Sequence, residues 1–401
     1  MRGNHRKKNP KIIAFYLPQY HRIPENDLWW GEGFTDWDSA RTAKPLFRGH
    51  YQPRLPLHNH FYNLLDKEVI KWQVKLAKKA GIYGFCMYHY WFGDKQLLEK
   101  PAENLLKWKE IDFHFCFSWA NESWIASWSR LKGNDWNQNG RAFNRQFSNG
   151  YLAFQKYGGK KEWKEHFEYL LPFFQDSRYI RKDGKPVFVI YKPQDLRCSG
   201  QMISYWNKLA VQNGLKGIYF IGTNSSQVMK KKMDAALLYE PVYSIFNASG
   251  FQNLLLKWMR LINNGLERKG VKRPKLVSYR QIWKMILNRK ADRDTYYGGF
   301  VDFDTSPRKG QYAYVFSKAS PEKFKKYFSR LYQKSTREGK DFIFLTAWNE
   351  WGEGAYLEPD CKYGFQYLNA VRDAAKVQKI NHCMAKRGIR GGRRGKRYVK
   401  I

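Results

Sequence analysis

The sequence predicts an α/β fold, a (β/α)8 barrel of the TIM type. Two observations predict it. Eight short, mostly apolar runs read as strands of a parallel sheet covered on both faces, and helical patterns lie between many of them. Nearly every run then ends in a polar or aromatic cluster, and a barrel brings all such ends to one mouth. A doubly wound sheet is the alternative; it would gather these clusters only at its switch-point crevice.

The elements follow in order. Run 12–17 leads into Gln19, Tyr20 and His21, with Tyr16 at its end. Segment 66–80 spaces Val69, Trp72, Leu76 and Ala80 as one helix face and stops at Gly81, a good C-cap. Run 83–88 ends in Tyr88, His89, Tyr90 and Trp91, and run 113–118 in Ser118, Trp119, Asn121 and Glu122. The stretch 120–185 reads as an elaborated loop after strand three. Run 186–191 ends at Tyr191, helix 202–212 follows, and run 218–222 precedes Asn224. Run 235–239 meets Glu240, and run 299–304 ends at Asp304. Ser320-Pro321-Glu322 starts a helix over 320–334. Run 342–347 leads to Asn349 and Glu350, and 364–377 forms the last helix. The organisation is therefore one barrel domain over 11–377 between a basic tail at 1–10 and a basic, disordered tail at 378–401.

Composition bounds the function. The chain has 401 residues with 43% hydrophobic, enough for a large single domain. Its 16 tryptophans cannot all be core filler, and aromatic platforms suit sugars, although structural packing of most of them is the plain reading. The formal net charge is +37, which polyanions must sense. Ten Lys or Arg and no acid lie between 374 and 401, and twelve Lys or Arg face two acids over 252–293, a basic amphipathic insertion around Leu254, Trp258 and Leu261. An anionic membrane surface or a lipid-linked substrate fits this charge better than nucleic acid, because zinc-finger, RNA-recognition and helix-turn-helix signatures are absent. Solubilising tails are the bland alternative. The five cysteines show no metal spacing, no signal-peptide pattern precedes Ile12, and no apolar run approaches the roughly 20 residues of a membrane helix. The expected location is cytoplasmic, with peripheral contact on the inner membrane face.

The chemistry concentrates in TAWNEWGEGAYLEP, residues 346–359. Glu350 and Glu353 stand three apart just past a strand, beside Asn349, Trp348, Trp351 and a third acid, Glu358. Paired carboxylates can protonate a leaving oxygen and act as base or nucleophile. A polar loop capping the next helix is the plain alternative. Glu122, in a second Asn-Glu dipeptide with Asn121, is a rival partner or a substrate ligand. His21 and His89, each beside tyrosines, are sugar ligands or structural histidines. Trp91, Trp119, Trp124 and Trp351 are stacking candidates, and Asp304 with Arg308 binds an acceptor or each other. Neither a His-Glu-x-x-His motif nor a phosphate loop nor an Asp-x-Asp nucleotide-sugar motif occurs, so no metal and no cofactor is expected.

FYLPQYH, WWGEGFTDW, YGFCMYHYWF, FCFSWANESW, FDTSPRKG and TAWNEWGEGAYLEP together resemble the WbsX-type glycosyltransferase family, itself similar to glycoside hydrolase family 99. The resemblance covers roughly 11–376. It implies bacterial surface polysaccharide (O-antigen or capsule) synthesis, with (β/α)8-barrel endo-acting α-mannosidases as hydrolase relatives. It also implies that Glu350 is the general base on the sugar's own 2-hydroxyl, leading to a 1,2-anhydro sugar, and that Glu353 is the general acid. Tyr16, Tyr20, His21, Tyr88, His89, Trp91, Trp119, Asn121, Glu122, Glu240, Asp304, Asn349 and Trp351 are the candidate substrate-binding residues. The expected activity is glycosyl transfer to or from a glycan, with a retaining endo-α-glycosidase and a non-catalytic glycan- or membrane-binding protein as alternatives. Donor, acceptor, linkage and oligomeric state are not legible.

Overall fold

The computed structural model describes residues 9–125, 151–225, 230–247 and 273–386, together with Trp258, Leu261, Ile262 and Gly265. Eight parallel strands close on themselves: β1 (Lys11–Tyr16), β2 (Gly84–Trp91), β3 (His114–Trp119), β4 (Lys185–Ile190), β5 (Tyr219–Thr223), β6 (Ala235–Leu238), β7 (Thr295–Phe300) and β8 (Phe342–Thr346). Each pairs with the next, and β8 returns to β1 with Lys11 opposite Phe342 and Ala14 opposite Leu345. The fold is thus the (β/α)8 barrel. Strands such as β8, buried along their whole length, are continuously apolar because both the barrel interior and the helical layer cover them.

The helices are α1 (Pro24–Trp30), α2 (Asp36–Thr42), α3 (Lys67–Ala80), α4 (Lys100–Lys107), α5 (Lys160–Gln175), α6 (Ser199–Gln212), α7 (Val242–Phe246), α8 (Tyr279–Asn288), α9 (Ser306–Lys309), α10 (Pro321–Arg337) and α11 (Gln366–Lys386). The local signals act as read. Asp66 caps α3 by accepting from the Glu68 amide at 2.9 Å, and Gly81 ends it in the left-handed conformation. Ser320 and Pro321 start α10. Inside the barrel, Phe15 lies 5.5 Å from the Tyr88 ring and 4.9 Å from that of Tyr239, so an aromatic layer floors the mouth.

Several boundaries differ from expectation. The seventh strand begins at Thr295, four residues before the expected 299, because the two glycines of TYYGGF hide it. These glycines are structural: a Cβ on Gly298 would sit 2.1 Å from the Leu238 carbonyl oxygen on the neighbouring strand. Gly298→Ala should therefore destabilise the protein by about 1–3 kcal/mol, read as a lower urea midpoint. An unchanged midpoint would show that β6 and β7 yield freely.

The stretch after strand three is not only loop. It contains α5, masked in the sequence by Pro172, and a two-stranded pair, Trp124–Ile125 with Tyr151–Ala153. Residues 126–150 lie outside the described residues. The basic segment 252–293 is likewise not one insertion. Its last third is barrel helix α8, which buries Tyr279, Ile282, Trp283 and Ile286, and Lys275–Ser278 pairs parallel with Tyr314–Ser317. Leu254 lies outside the described residues. The final helix runs on to Lys386, past the expected 377, since no glycine interrupts the chain before Gly388. The first eight residues and residues 387–401, where the rest of the tails falls, are outside the described residues.

Candidate active site

The mouth of the barrel holds a cavity of about 500 Å³. The end of β2 and chain following β1, β3, β4, β6, β7 and β8 line it, through Tyr88 and Tyr90, and through Gln19, Glu122, Tyr191 and Lys192, Tyr239, Arg308, and Glu350 with Glu353. Asp36, Asp38, Trp30 and Trp124 complete much of the wall. The Tyr88 and Tyr239 hydroxyls share a 2.8 Å hydrogen bond across the floor.

One guanidinium organises the acids. Arg308, on α9, donates through Nε (3.1 Å) and Nη2 (2.9 Å) to the two oxygens of Asp36. Its Nη1 donates to Glu353 at 3.0 Å, and its Nη2 reaches Glu350 at 3.3 Å. Three carboxylates thus share one cation. This close packing needs Gly352, where a Cβ would lie 2.6 Å from Arg308 Nε and 2.7 Å from an Asp36 oxygen. Burial pushes the Glu350 carboxyl up to about 8, against the pull of Arg308 and with the push of Glu353 and Asp36. At neutral pH Glu350 therefore carries a proton. Glu353, with 28% of its side chain exposed, is the more hydrated of the pair.

The loop carrying the pair is held from behind. Asn349 bonds the Leu17 amide (2.8 Å) and carbonyl (2.9 Å), tying the end of β8 to the end of β1. The Tyr20 hydroxyl donates to the Asn349 carbonyl and accepts from the Trp351 amide. The Trp351 ring stacks on Tyr356 at 3.7 Å, and its Nε1 donates to Glu358 at 2.8 Å. Glu358 also accepts from Tyr62 and Gln73, and Gln73 accepts from Tyr16. Burial moves Glu358 up to about 7 despite these donors.

A family model for the glycosyltransferase WbsX matches residues 12–371. The chain belongs to the WbsX glycosyltransferase family. Two WxcX proteins, from two strains of Xanthomonas campestris pv. campestris, are 30% identical to it over 370 residues, 90% of this chain and 49% of theirs. The chain thus spans about half the length of these curated relatives. In fold it is similar to a GH99 endo-α-mannosidase of Bacteroides thetaiotaomicron (TM-score 0.50, 17% identity, 93% of this chain and 98% of that one). It is also similar to a glycoside hydrolase-like protein (TM-score 0.53, 14% identity, 92% and 94%).

Within this WbsX-family barrel, the candidate residues divide. Glu350, Glu353, Glu122 and Tyr88 line the cavity, Glu122 paired with Lys192. Tyr16, Tyr20, Asn349 and Trp351 stand behind it, as described. Asn121 clamps the Lys192 backbone through both its amide atoms. His89 and Trp91 face outward to α5, where His89 bonds His166 at 2.8 Å and Trp91 stacks on the same ring at 4.5 Å. Burial lowers His89 to about 3. Trp119 donates to the Trp91 carbonyl and is fully buried, so of the four tryptophans named as stacking candidates only Trp124 borders the cavity. Glu240 is buried against Arg289 and Ser244. Asp304 does not meet Arg308. Burial would raise its carboxyl, but His50 and Arg54 hold it at about 2, with Gln52 adding a 2.7 Å bond. His21 is buried and pushed down to about 4 by that burial, against the opposing pull of the Pro18 backbone. Among the described residues no group of three or more His, Cys, Asp or Glu is placed to hold a metal.

Sequence reasoning did not single out Asp36, which sits in WWGEGFTDW. A signal was present, because Thr35 and Asp38 form a capping box that fixes Asp36 at the first turn of α2. It also passed over Tyr239, Lys192 and Trp30.

Proposed function

We propose that this protein is a glycosyltransferase of bacterial surface polysaccharide synthesis. It would work on a lipid-linked glycan at the cytoplasmic face of an anionic membrane and use Glu350 and Glu353 as its reacting pair. The observation that carries the reading is the Arg308 cluster in the aromatic mouth, where two carboxyl groups of different hydration face one cavity. Tyr88, Tyr90, Tyr191 and Trp124 supply sugar-facing aromatic surface. Following the resemblance, Glu350 takes the proton of the sugar's 2-hydroxyl and the 2-oxygen displaces the leaving oxygen from C1. Glu353 protonates that oxygen as the bond breaks. An acceptor hydroxyl then opens the anhydro sugar, giving its proton to Glu353 while Glu350 returns its own to the 2-oxygen.

The resting proton sits on Glu350, so the base form must be made first. The sign follows: below about pH 8 Glu350 is mostly protonated, and kcat/KM should rise with pH toward that value. A rate that instead falls above about pH 8 would give Glu350 the acid role and Glu353 the base role.

The likeness of fold to endo-α-mannosidases favours a second reading, a retaining endo-α-glycosidase in which water replaces the acceptor. Incubation with lipid-linked oligosaccharide plus nucleotide sugars, and separately with α-linked glycans, separates the readings. Sugar gain supports transfer, sugar loss supports hydrolysis, and retention without turnover would leave a binding protein.

A further inference from the structure

Behind the candidate site lies a carboxyl group that the chemistry proposed above does not use. Glu358 is 2% exposed and follows the hairpin in which Asn349 and Glu350 pair with Tyr356 and Ala355. Its Oε1 accepts from Gln73 Nε2 at 2.8 Å. Its Oε2 accepts from the Tyr62 hydroxyl and from Trp351 Nε1, each at 2.8 Å. The Trp348 indole N–H, short of full bonding geometry, pulls the same way. All these partners are neutral donors. Tyr16 and Tyr62 are titratable side chains that face the group, and burial holds both neutral.

The donors do not readily become acceptors. An indole N–H only donates. Gln73 would offer its oxygen only by turning over, and that oxygen already accepts from the Tyr16 hydroxyl at 2.7 Å. The Tyr62 oxygen is taken by Asn349 Nδ2 at 3.4 Å. A proton on Glu358 would therefore point at a donor hydrogen, and at least one of the bonds would have to open. What those bonds hold is the reacting turn. Trp351 stands between Glu350 and Glu353 in the chain, and Glu358 ties its ring to Gln73 on α3 and, through Gln73, to Tyr16 at the end of β1.

We propose that Glu358 is a positioning residue that works as a carboxylate: ionised, it fixes the turn carrying Glu350 and Glu353 through Trp351, and when it takes up a proton it lets that turn loosen. Burial moves the group up to about 7, so the exchange between the two states falls near neutral pH. The loosening is local. The folded value lies above the ordinary 4.5, so this group's contribution to overall stability is full below 4.5 and is lost as pH rises toward 7. Mild acid should thus slacken the turn without lowering the urea midpoint. The purpose of the hold rests on the reading of Glu350 and Glu353 as the reacting pair. The hold itself does not, because near-UV circular dichroism reports it without substrate.

The test is a pH titration of the full chain by that spectrum and by kcat/KM. The spectrum should change near pH 7 in the wild type and in Glu350→Gln, and should show no such step in Glu358→Gln. The logarithm of kcat/KM should steepen by about one unit of slope on the acid side of pH 7, one ionisation added to the limb that Glu350 sets. Glu358→Gln should lose that added slope. At higher pH it should also lose about 10–100-fold in kcat/KM, mostly through kcat, the cost of misplacing reacting groups by about 1 Å. Glu358→Asp keeps the charge and should keep the added slope. Trp351→Phe keeps a ring but removes one donor, so the spectral and kinetic steps should both move to higher pH, a check that does not depend on Glu358→Gln folding. The proposal is overturned by a spectral step that persists in Glu358→Gln, by wild-type kcat/KM in that variant, or by steps that Trp351→Phe leaves in place. A Glu358→Gln protein that melts early but keeps the wild-type pH profile would make Glu358 merely structural. A spectral step that behaves as expected, with no glycan turned over by any of these proteins, would sink the reacting-pair reading and leave the hold standing.

Discussion

Glu350→Gln should lower kcat by about 10²–10⁴-fold and leave the fold intact. The amide keeps the size of the side chain. It also matches the charge of the wild-type residue at neutral pH, because burial already keeps Glu350 protonated there. Stability should therefore change little, and a matched melting curve makes the kinetic loss interpretable. Glu353→Gln should lose turnover comparably, but here Arg308 loses one of its three carboxyl partners, so a small stability change is expected as well. The double variant should fall only slightly below either single one, since residues that act as a unit are strongly non-additive. Measurement of kcat and KM for the three proteins on one substrate decides it. Wild-type turnover in Glu350→Gln would remove that residue from the chemistry. A loss confined to KM would make it a binding group.

The barrel was legible because its strands are buried on both faces and so read as unbroken apolar runs. Only β7, softened by Gly298 and Gly299, was placed late. The candidate pair was legible as a pair because Glu350 and Glu353 are neighbours in sequence. Asp36 was not, because its partner Arg308 is 272 positions away and no local pattern reports such a meeting. The outward turn of His89 and Trp91 was readable in principle. Side chains alternate along a strand, so if Tyr88 and Tyr90 point into the mouth, His89 and Trp91 must point to the helical layer. Treating the strand end as one cluster discarded that alternation. Asp304 and Glu240 show a different limit: an acid at a strand end can be consumed by a buried cation, Arg54 and Arg289 here, as readily as it can face substrate. Trp351 was expected as a sugar platform but its ring is spent on Tyr356, a contact that depends on how the following residues fold back.

Arg308→Gln should destabilise the protein and disable the site together. The guanidinium is the counterion for Asp36, Glu350 and Glu353, and Asp36 and Glu350 are buried. Removing one partner of a buried ion cluster leaves uncompensated charge and costs about 3–5 kcal/mol. The cost depends on pH, and its sign can be worked out. Glu350 in the folded protein already titrates above its ordinary 4.5, so its contribution to stability is full below that value and is lost as pH rises toward about 8. Arg308 is the group that pulls Glu350 down, so without it the carboxyl rises further, the window widens, and the deficit relative to wild type should shrink on acidification and grow with pH. The rate should respond in the same direction: if Glu350 is the base, its ionised form becomes scarcer and the rising limb of kcat/KM moves to higher pH. Asp36→Asn in the Arg308→Gln background removes one of the stranded charges and should recover part of the stability. The expected coupling is about 0.5–3 kcal/mol, read from urea midpoints at several pH values. Wild-type stability in Arg308→Gln, or an unmoved pH limb, would mean that the three acids are held by the loops that carry them and not by the cation between them.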